Sequence, residues 1–217
     1  MNLDIKPGPS FVSAMALAVH RGIKTQTRRV ILPQPVVLPQ GTPTWYPSAT
    51  HGRGRAYDGE AHFLRGFAAD FAPYKAGERY YLREPIRRGA EYPGDFDADL
   101  EWDDSLTHHS IEYVCDGAEH PDAHWVWKPK ALPGRYMPKG LRRLVLEVVS
   151  VRVERLHAIT EEDARAEGIT MPLPYGTPAD LRYAVGFRVE WDTINRKRAP
   201  WESNPWVWRI EFRPEVP

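Results

Sequence analysis

The chain has 217 residues, with 29 Lys and Arg against 29 Asp and Glu, so no global positive field marks it as a polyanion binder. Any contact with nucleic acid has to come from a local patch. The one cysteine, Cys115, excludes an intrachain disulfide framework and fits a reducing cytoplasm. No apolar run approaches the ~20 residues of a membrane span, and the N-terminal run is short, amphipathic and without an A-x-A cleavage site. The expectation is a soluble, cytoplasmic single domain over 1–217, large enough for a real core.

In chain order, Ser10 reads as a helix cap, Phe11, Ala14, Met15, Leu17 and Ala18 as one apolar helix face, and Gly22 as the stop. The next run, Gly22-Ile23-Lys24-Thr25-Gln26-Thr27-Arg28-Arg29, turns β-like and continues into Val30 and Ile31. It sets an amine and a hydroxyl three residues apart. In a straight strand positions i and i+3 point to opposite faces, so Lys24 and Thr27 converge only if the backbone bends between them. Pro33, Pro35, Pro39, Pro43 and Pro47 then mark residues 32–72 as a long loop excursion with room for a short strand or a turn of helix. Glu78 to Glu84 reads as a strand after a Lys75-Ala76-Gly77 turn. A second excursion follows over 86–140, punctuated by Pro121, Pro129, Pro133 and Pro138.

That excursion carries two features. Cys115, His120 and His124, near His108, His109, Asp116 and Asp122, have metal-ligand types, but the set lacks a paired Cys-x-x-Cys and the loop is polar throughout. The reading is a solvated insertion, with no metal and no cofactor. Trp125 and Trp127, beside Lys128 and Lys130, fit a lid or base contacts.

Leu141 to Leu156 is a long β segment whose apolar phase switches, from Leu144, Leu146 and Val148 to Val149, Val151 and Val153. Such a switch marks a bulge or bend of the kind that turns a barrel corner. Thr160-Glu161-Glu162-Asp163 is a capping-box pattern for a short helix ending near Gly168. Thr177-Pro178-Ala179-Asp180 opens another, running to about Asn195. Trp206, Trp208, Ile210 and Phe212 alternate inward on a last strand, with Val207, Arg209 and Glu211 on its other face. The class is α+β, with a small mixed barrel and peripheral helices. No glycine-rich βα turn points to a dinucleotide or P-loop fold.

Four blocks give the chain a family likeness: Gly22 to Arg29; Pro73-Tyr74 through Arg83-Glu84; Val151 to Leu156 through Ala164 to Ile169; and Trp191 to Asn195 through Asn204 to Trp208. In these it resembles the ASCH domain family of PUA-like β-barrels, most closely its longer bacteriophage and prophage members. In the second block it has Tyr80-Tyr81-Leu82-Arg83-Glu84-Pro85-Ile86 where those relatives carry tryptophans. The resemblance implies a PUA-like (ASCH) barrel with two insertions, at about 32–72 and 86–140.

It also implies an amidohydrolase removing acyl groups from N4-acylated cytosines such as N4-acetylcytidine. The catalytic Lys and Thr of the family's Gly-x-Lys-x-x-Thr-x-Arg run fall on Lys24 and Thr27, its Arg on Arg29, and the helix Glu on Glu167. In the mechanism this suggests, Thr27 attacks the acyl carbonyl, Lys24 takes its proton and returns it to the leaving amine, and Glu167 supports the lysine. Burial or a neighbouring Arg28 or Arg29 lowers the lysine pKa enough for that role. A variant has Lys24 and Glu167 activate water instead. Arg28, Arg29, Tyr81, Arg83, Glu84 and Trp125 are the expected substrate contacts. The alternative is an RNA- or modified-base-binding module, with Lys24, Arg28, Arg29 and Arg143 on phosphates, or a ribonuclease using the same cleft.

Overall fold

The computed structural model describes residues 5–37, 43–45, 55–57, 59–88, 111–116, 132–137, 139–170 and 182–215. The strands are β1 Lys6–Ser10, β2 Gln26–Val30, β3 Val36–Val37, β4 Pro43–Trp45, β5 Arg55–Ala56, β6 Arg79–Arg83, β7 Ile86–Arg88, β8 Ile111–Tyr113, β9 Val145–Arg155 and β10 Trp206–Pro214. The helices are α1 Ser13–His20, α2 Gly59–Phe71, α3 Glu161–Ala166 and α4 Arg182–Asn195. The class is α+β, as expected. The main sheet is open and mixed, with five strands in the order β1-β6-β9-β10-β2, beside a three-stranded β3-β4-β5 sheet and a β7-β8 pair.

The chain groups into two compact units: 1–21 with 79–146 and 214–217, and 22–78 with 147–213. In the first, β1 runs parallel to β6, with Lys6 opposite Tyr80 and Pro7 opposite Tyr81, and the register shifts before Ser10. The approach is close at Gly8, where a Cβ would sit 2.5 Å from the Tyr81 carbonyl oxygen, so only glycine fits there. Ser10 therefore belongs to β1 and does not cap α1, whose cap position is Val12, without a side-chain bond. Tyr80, Tyr81 and Leu82 on β6 are all buried.

In the second unit β10 pairs antiparallel with β2 over five consecutive residues, Val207–Val30 to Glu211–Gln26, with no break in register. Trp206, Trp208, Ile210 and Phe212 are buried, as their alternation predicts. On that face Phe63 packs edge-on against Trp206 and Phe67 stacks on Trp208 with centroids 5.0 Å apart. Both phenylalanines come from α2, a 13-residue helix inside the 32–72 stretch read as loop. Its signal was present in Phe63, Phe67 and Phe71 at helical spacing, but the prolines crowd the residues before it. The other face of β10 is covered too. Val207 is fully buried among Leu156, Ala164, Phe187, Trp191 and Ala199, the apolar residues of α3, α4 and their flanks.

Along β9 the burial phase does switch: Leu146 and Val148 are buried, Val149 is half exposed at 52%, and Val153 is buried again. Thr160 and Asp163 make the expected capping box on α3, and Gly168 ends it at φ +89°. The Thr177–Asp180 cap lies outside the described residues, and α4 is described from Arg182 to Asn195.

Candidate active site

Three segments of the second unit meet at one buried carboxylate. Gly22 takes φ +69°, a left-handed turn open to glycine, and the chain then runs into β2. Just before the strand, Thr25 donates its N–H to the Ala166 carbonyl at 2.9 Å, and its own carbonyl accepts from Phe212 N–H at 2.9 Å. The segment is thereby pinned between the end of α3 and β10. Pinning Thr25 to Ala166 brings its neighbour Lys24 to Glu167, the C-cap residue of α3. Lys24 is fully buried, and its Nζ donates to the Glu167 carbonyl at 2.6 Å and to Glu167 Oε2 at 2.9 Å.

Arg28, on β2, takes the other oxygen: its Nη1 donates to Glu167 Oε1 at 3.2 Å. The same guanidinium reaches Asp163 Oδ2 at 2.9 Å and, through Nε, Glu154 Oε1 at 2.7 Å. Asp163 thus does two jobs, capping α3 and holding both Arg28 and, at 2.8 Å through Oδ1, Arg209 of β10. Arg209 in turn donates to Gln26 Oε1 at 2.8 Å. Such a network keeps buried charges compensated and fixes Glu167 from two sides.

The electrostatics follow from this packing. Burial pulls the Lys24 amine below its ordinary value; Glu167 opposes that shift, and Arg29 adds to it. Burial pushes the Asp163 carboxyl up, but Arg28, the Thr160 N–H and Arg209 outweigh it and hold the group below the usual range. Glu190, on α4, is raised by burial and by the Glu167 charge against the pull of Lys24. The site thus sets an amine whose charged form burial disfavours on a carboxylate that favours it.

Lys24 and Glu167, 143 residues apart in sequence, come together as the resemblance implies. Thr27 lies inside β2, whereas Lys24 precedes the strand. The strand pleats regularly, so Thr27, opposite Ile210, leaves it on the face away from Arg28, which is paired with Arg209. Arg29 shares the Thr27 face, opposite Trp208. The five unbroken ladder pairs run from Gln26 to Val30 and stop short of Lys24, so they fix the face of Thr27 but not its separation from the Lys24 amine.

The other expected contacts have local partners in the first unit. Tyr81 is buried with the Arg142 guanidinium 5.0 Å over its ring, Arg83 Nε donates to the Gly8 carbonyl at 2.7 Å, and Glu84 is wholly buried. Arg143 is bound to Glu84 at 2.9 Å, and Arg28 is ringed by carboxylates, so two cations assigned to phosphates are already committed. Trp125, Trp127, His108, His109, His120, His124 and Asp122 lie outside the described residues, as does the side chain of Asp116.

Glu154, Glu190, Arg209 and the second role of Asp163 escaped the sequence reading. Glu190 had a signal, since it sits one residue before Trp191 and three after Phe187 on the buried stripe of α4. Arg209 had one as well, on the second face of an alternating strand. Glu154 had none. No protein-family model, curated protein or solved structure matches the chain.

Proposed function

We propose that the chain is an ASCH-type amidohydrolase on a PUA-like scaffold, cleaving the acyl group from N4-acylated cytosine nucleosides, with Lys24 as base and Glu167 as its positioning partner. The observation that carries the proposal is the buried Lys24 amine, lowered in pKa and held 2.9 Å from Glu167 Oε2. Burial alone would cost several kcal/mol for a charged lysine without a partner, so a fold that keeps one here needs a use for it or a tight pairing. The pairing is present, and an amine that burial pulls down is suited to proton transfer.

In this reading the neutral Lys24 amine takes a proton from water as the water oxygen bonds to the acyl carbonyl carbon. The tetrahedral intermediate then breaks its carbon–N4 bond, and the Lys24 ammonium returns the proton to the departing N4 amine. A free carboxylic acid and the cytosine nucleoside leave. The pleat of β2 supports water over Thr27 as the nucleophile, because Thr27 and Arg28 leave the strand on opposite faces while Arg28 and Lys24 share one carboxylate. The commitment of Arg28 and Arg143 to carboxylates weighs against the phosphate-gripping alternative.

A spectrophotometric assay on N4-acetylcytidine and N4-benzoylcytidine tests this. The wild type should release the acyl group, Lys24→Ala should lose about 10²–10⁴-fold in kcat/KM with its circular dichroism unchanged, and Thr27→Ala should stay within about tenfold. An inactive wild type, or a Lys24→Ala variant at wild-type rate, overturns the assignment. A Thr27→Ala variant as dead as Lys24→Ala overturns the water route.

A further inference from the structure

Four side chains that the proposed reaction does not use converge in the first unit. His20 closes α1, Glu84 follows β6, Cys115 lies in the 3-10 turn Val114–Asp116 after β8, and Arg143 precedes β9. Glu84 Oε2 accepts from the Cys115 thiol at 2.8 Å and lies 3.1 Å from His20 Nε2. The imidazole nitrogen, the carboxylate oxygen and the sulfur all fall within 4.8 Å of one another. Arg143 spans the carboxylate, donating Nε to Oε1 at 2.9 Å and Nη2 to Oε2 at 3.0 Å, and its Nη2 is also 3.2 Å from the sulfur. The guanidinium also lies 3.7 Å over the Tyr113 ring, whose hydroxyl is anchored on the Leu141 carbonyl at 2.6 Å.

One arginine is enough to neutralise one buried carboxylate. A thiol and an imidazole aimed at the same oxygen exceed what neutralisation needs, and their chemical types are informative. Sulfur, imidazole nitrogen and carboxylate oxygen together form a borderline-soft donor set. Magnesium and calcium take oxygen ligands, whereas zinc accepts all three and commonly keeps three protein ligands with a fourth position open. We propose that His20 Nε2, Glu84 Oε2 and Cys115 Sγ form a binding site for a zinc-type divalent cation.

Two of the three donor separations need little adjustment, and the nitrogen–sulfur one lies within 4.8 Å. Tetrahedral zinc with bonds of about 2.0–2.3 Å wants its donors roughly 3.3–3.8 Å apart. The sulfur–oxygen and nitrogen–oxygen separations of 2.8 and 3.1 Å therefore open by less than about 1 Å. The thiol proton now between sulfur and carboxylate is released to solvent, and the cation takes its place. The edge of His20, whose side chain is 24% exposed, gives a way in, while Glu84 is closed off. Arg143 Nη2 gives up its contacts with Oε2 and the sulfur to the cation, while Nε stays on Oε1 and orients the ligating carboxylate from outside, the usual role of a second hydrogen-bonding layer at metal sites.

The test uses the full-length protein, stripped with a chelator and titrated with Co²⁺. One equivalent should bind with a sulfur-to-cobalt charge-transfer band, and Zn²⁺ should displace it. Cys115 is the single cysteine, so the band can come from no other residue, and Cys115→Ser should abolish it. His20→Ala, at a partly exposed position that should leave the fold intact by circular dichroism, should weaken binding by at least the ~10–100-fold that loss of an outer hydrogen-bonding partner costs. Absence of the band in the wild type overturns the site. So does a His20→Ala variant that binds Co²⁺ as tightly as the wild type.

Discussion

Each of the two units buries a carboxylate among cations, yet the two clusters favour opposite chemistry. In the second unit Glu167 receives Lys24 and Arg28, one on each oxygen, and the group that burial moves is the cation: the Lys24 amine is pulled down. In the first unit burial pushes the Glu84 carboxyl up, but hydrogen bonds from His20, Arg143 and Cys115 more than offset this and hold it at about 2. There the carboxylate stays ionised, with the Arg143 guanidinium, the Cys115 thiol and the His20 ring gathered on it. What differs is the partner that can change its proton. On the proposed readings the lysine serves as a base, whereas sulfur and imidazole nitrogen beside the carboxylate serve as a ligand set.

The largest effect that separates the clusters is on stability. Arg28 is buried and bonded to Glu154, Asp163 and Glu167 at once, whereas Arg143 has a side chain 29% exposed and leaves Glu84 two other donors if removed. Arg28→Met should therefore lower the unfolding free energy by about 3–5 kcal/mol in urea titrations, since it strands buried charges. Arg143→Met should cost clearly less. Equal losses would show that the two networks are equivalent and remove the contrast.

Next in size is an effect on rate. Glu167→Gln should lower amide hydrolysis by about 10²-fold, and the shift in pH dependence is the sharper readout. Glu167 raises the Lys24 pKa, so losing its charge should move the acid limb of the rate profile to lower pH. A profile that falls in rate without moving would mean that Glu167 acts on something other than the lysine.

How much of this was legible in the sequence differs between the two clusters. Lys24 and Glu167 were found through a motif resemblance, and the α3 cap and stop that place Glu167 were readable from Thr160, Asp163 and Gly168 because capping is local chemistry. The His20–Glu84–Cys115 set was not. Its members come from a helix end, a strand end and a turn 31 or more residues apart in sequence, and no spacing rule links them. The sequence reading did pick Cys115 as a metal candidate but sought its partners nearby, at His120 and His124. The face of Thr27 follows from the pleat of β2, but Lys24 precedes the strand, so alternation links the two residues no further than Gln26. Helix α2 was hidden by the prolines preceding it, although Phe63, Phe67 and Phe71 had the period.

The smallest effect is titrational and lies in the second unit alone. Asp163 is held below its ordinary pKa by Arg28, the Thr160 N–H and Arg209, which outweigh burial. Between the folded and unfolded values the unfolded chain binds more protons, so stability rises with pH there. The Asp163 contribution is then fully present above the unfolded value of about 3.9 and is lost as pH falls through the lower folded one. Asp163→Asn keeps a side chain able to cap α3 but drops the charge. At pH 7 it should cost about 1.5 kcal/mol, the low end for hydrogen bonds to a charged group. Urea titrations of both proteins should show that gap constant from neutral pH to about pH 5, then closing as the pH is lowered below about 4. A gap that persists at pH 2 would mean Asp163 contributes through its shape and neutral hydrogen bonds, not through its charge.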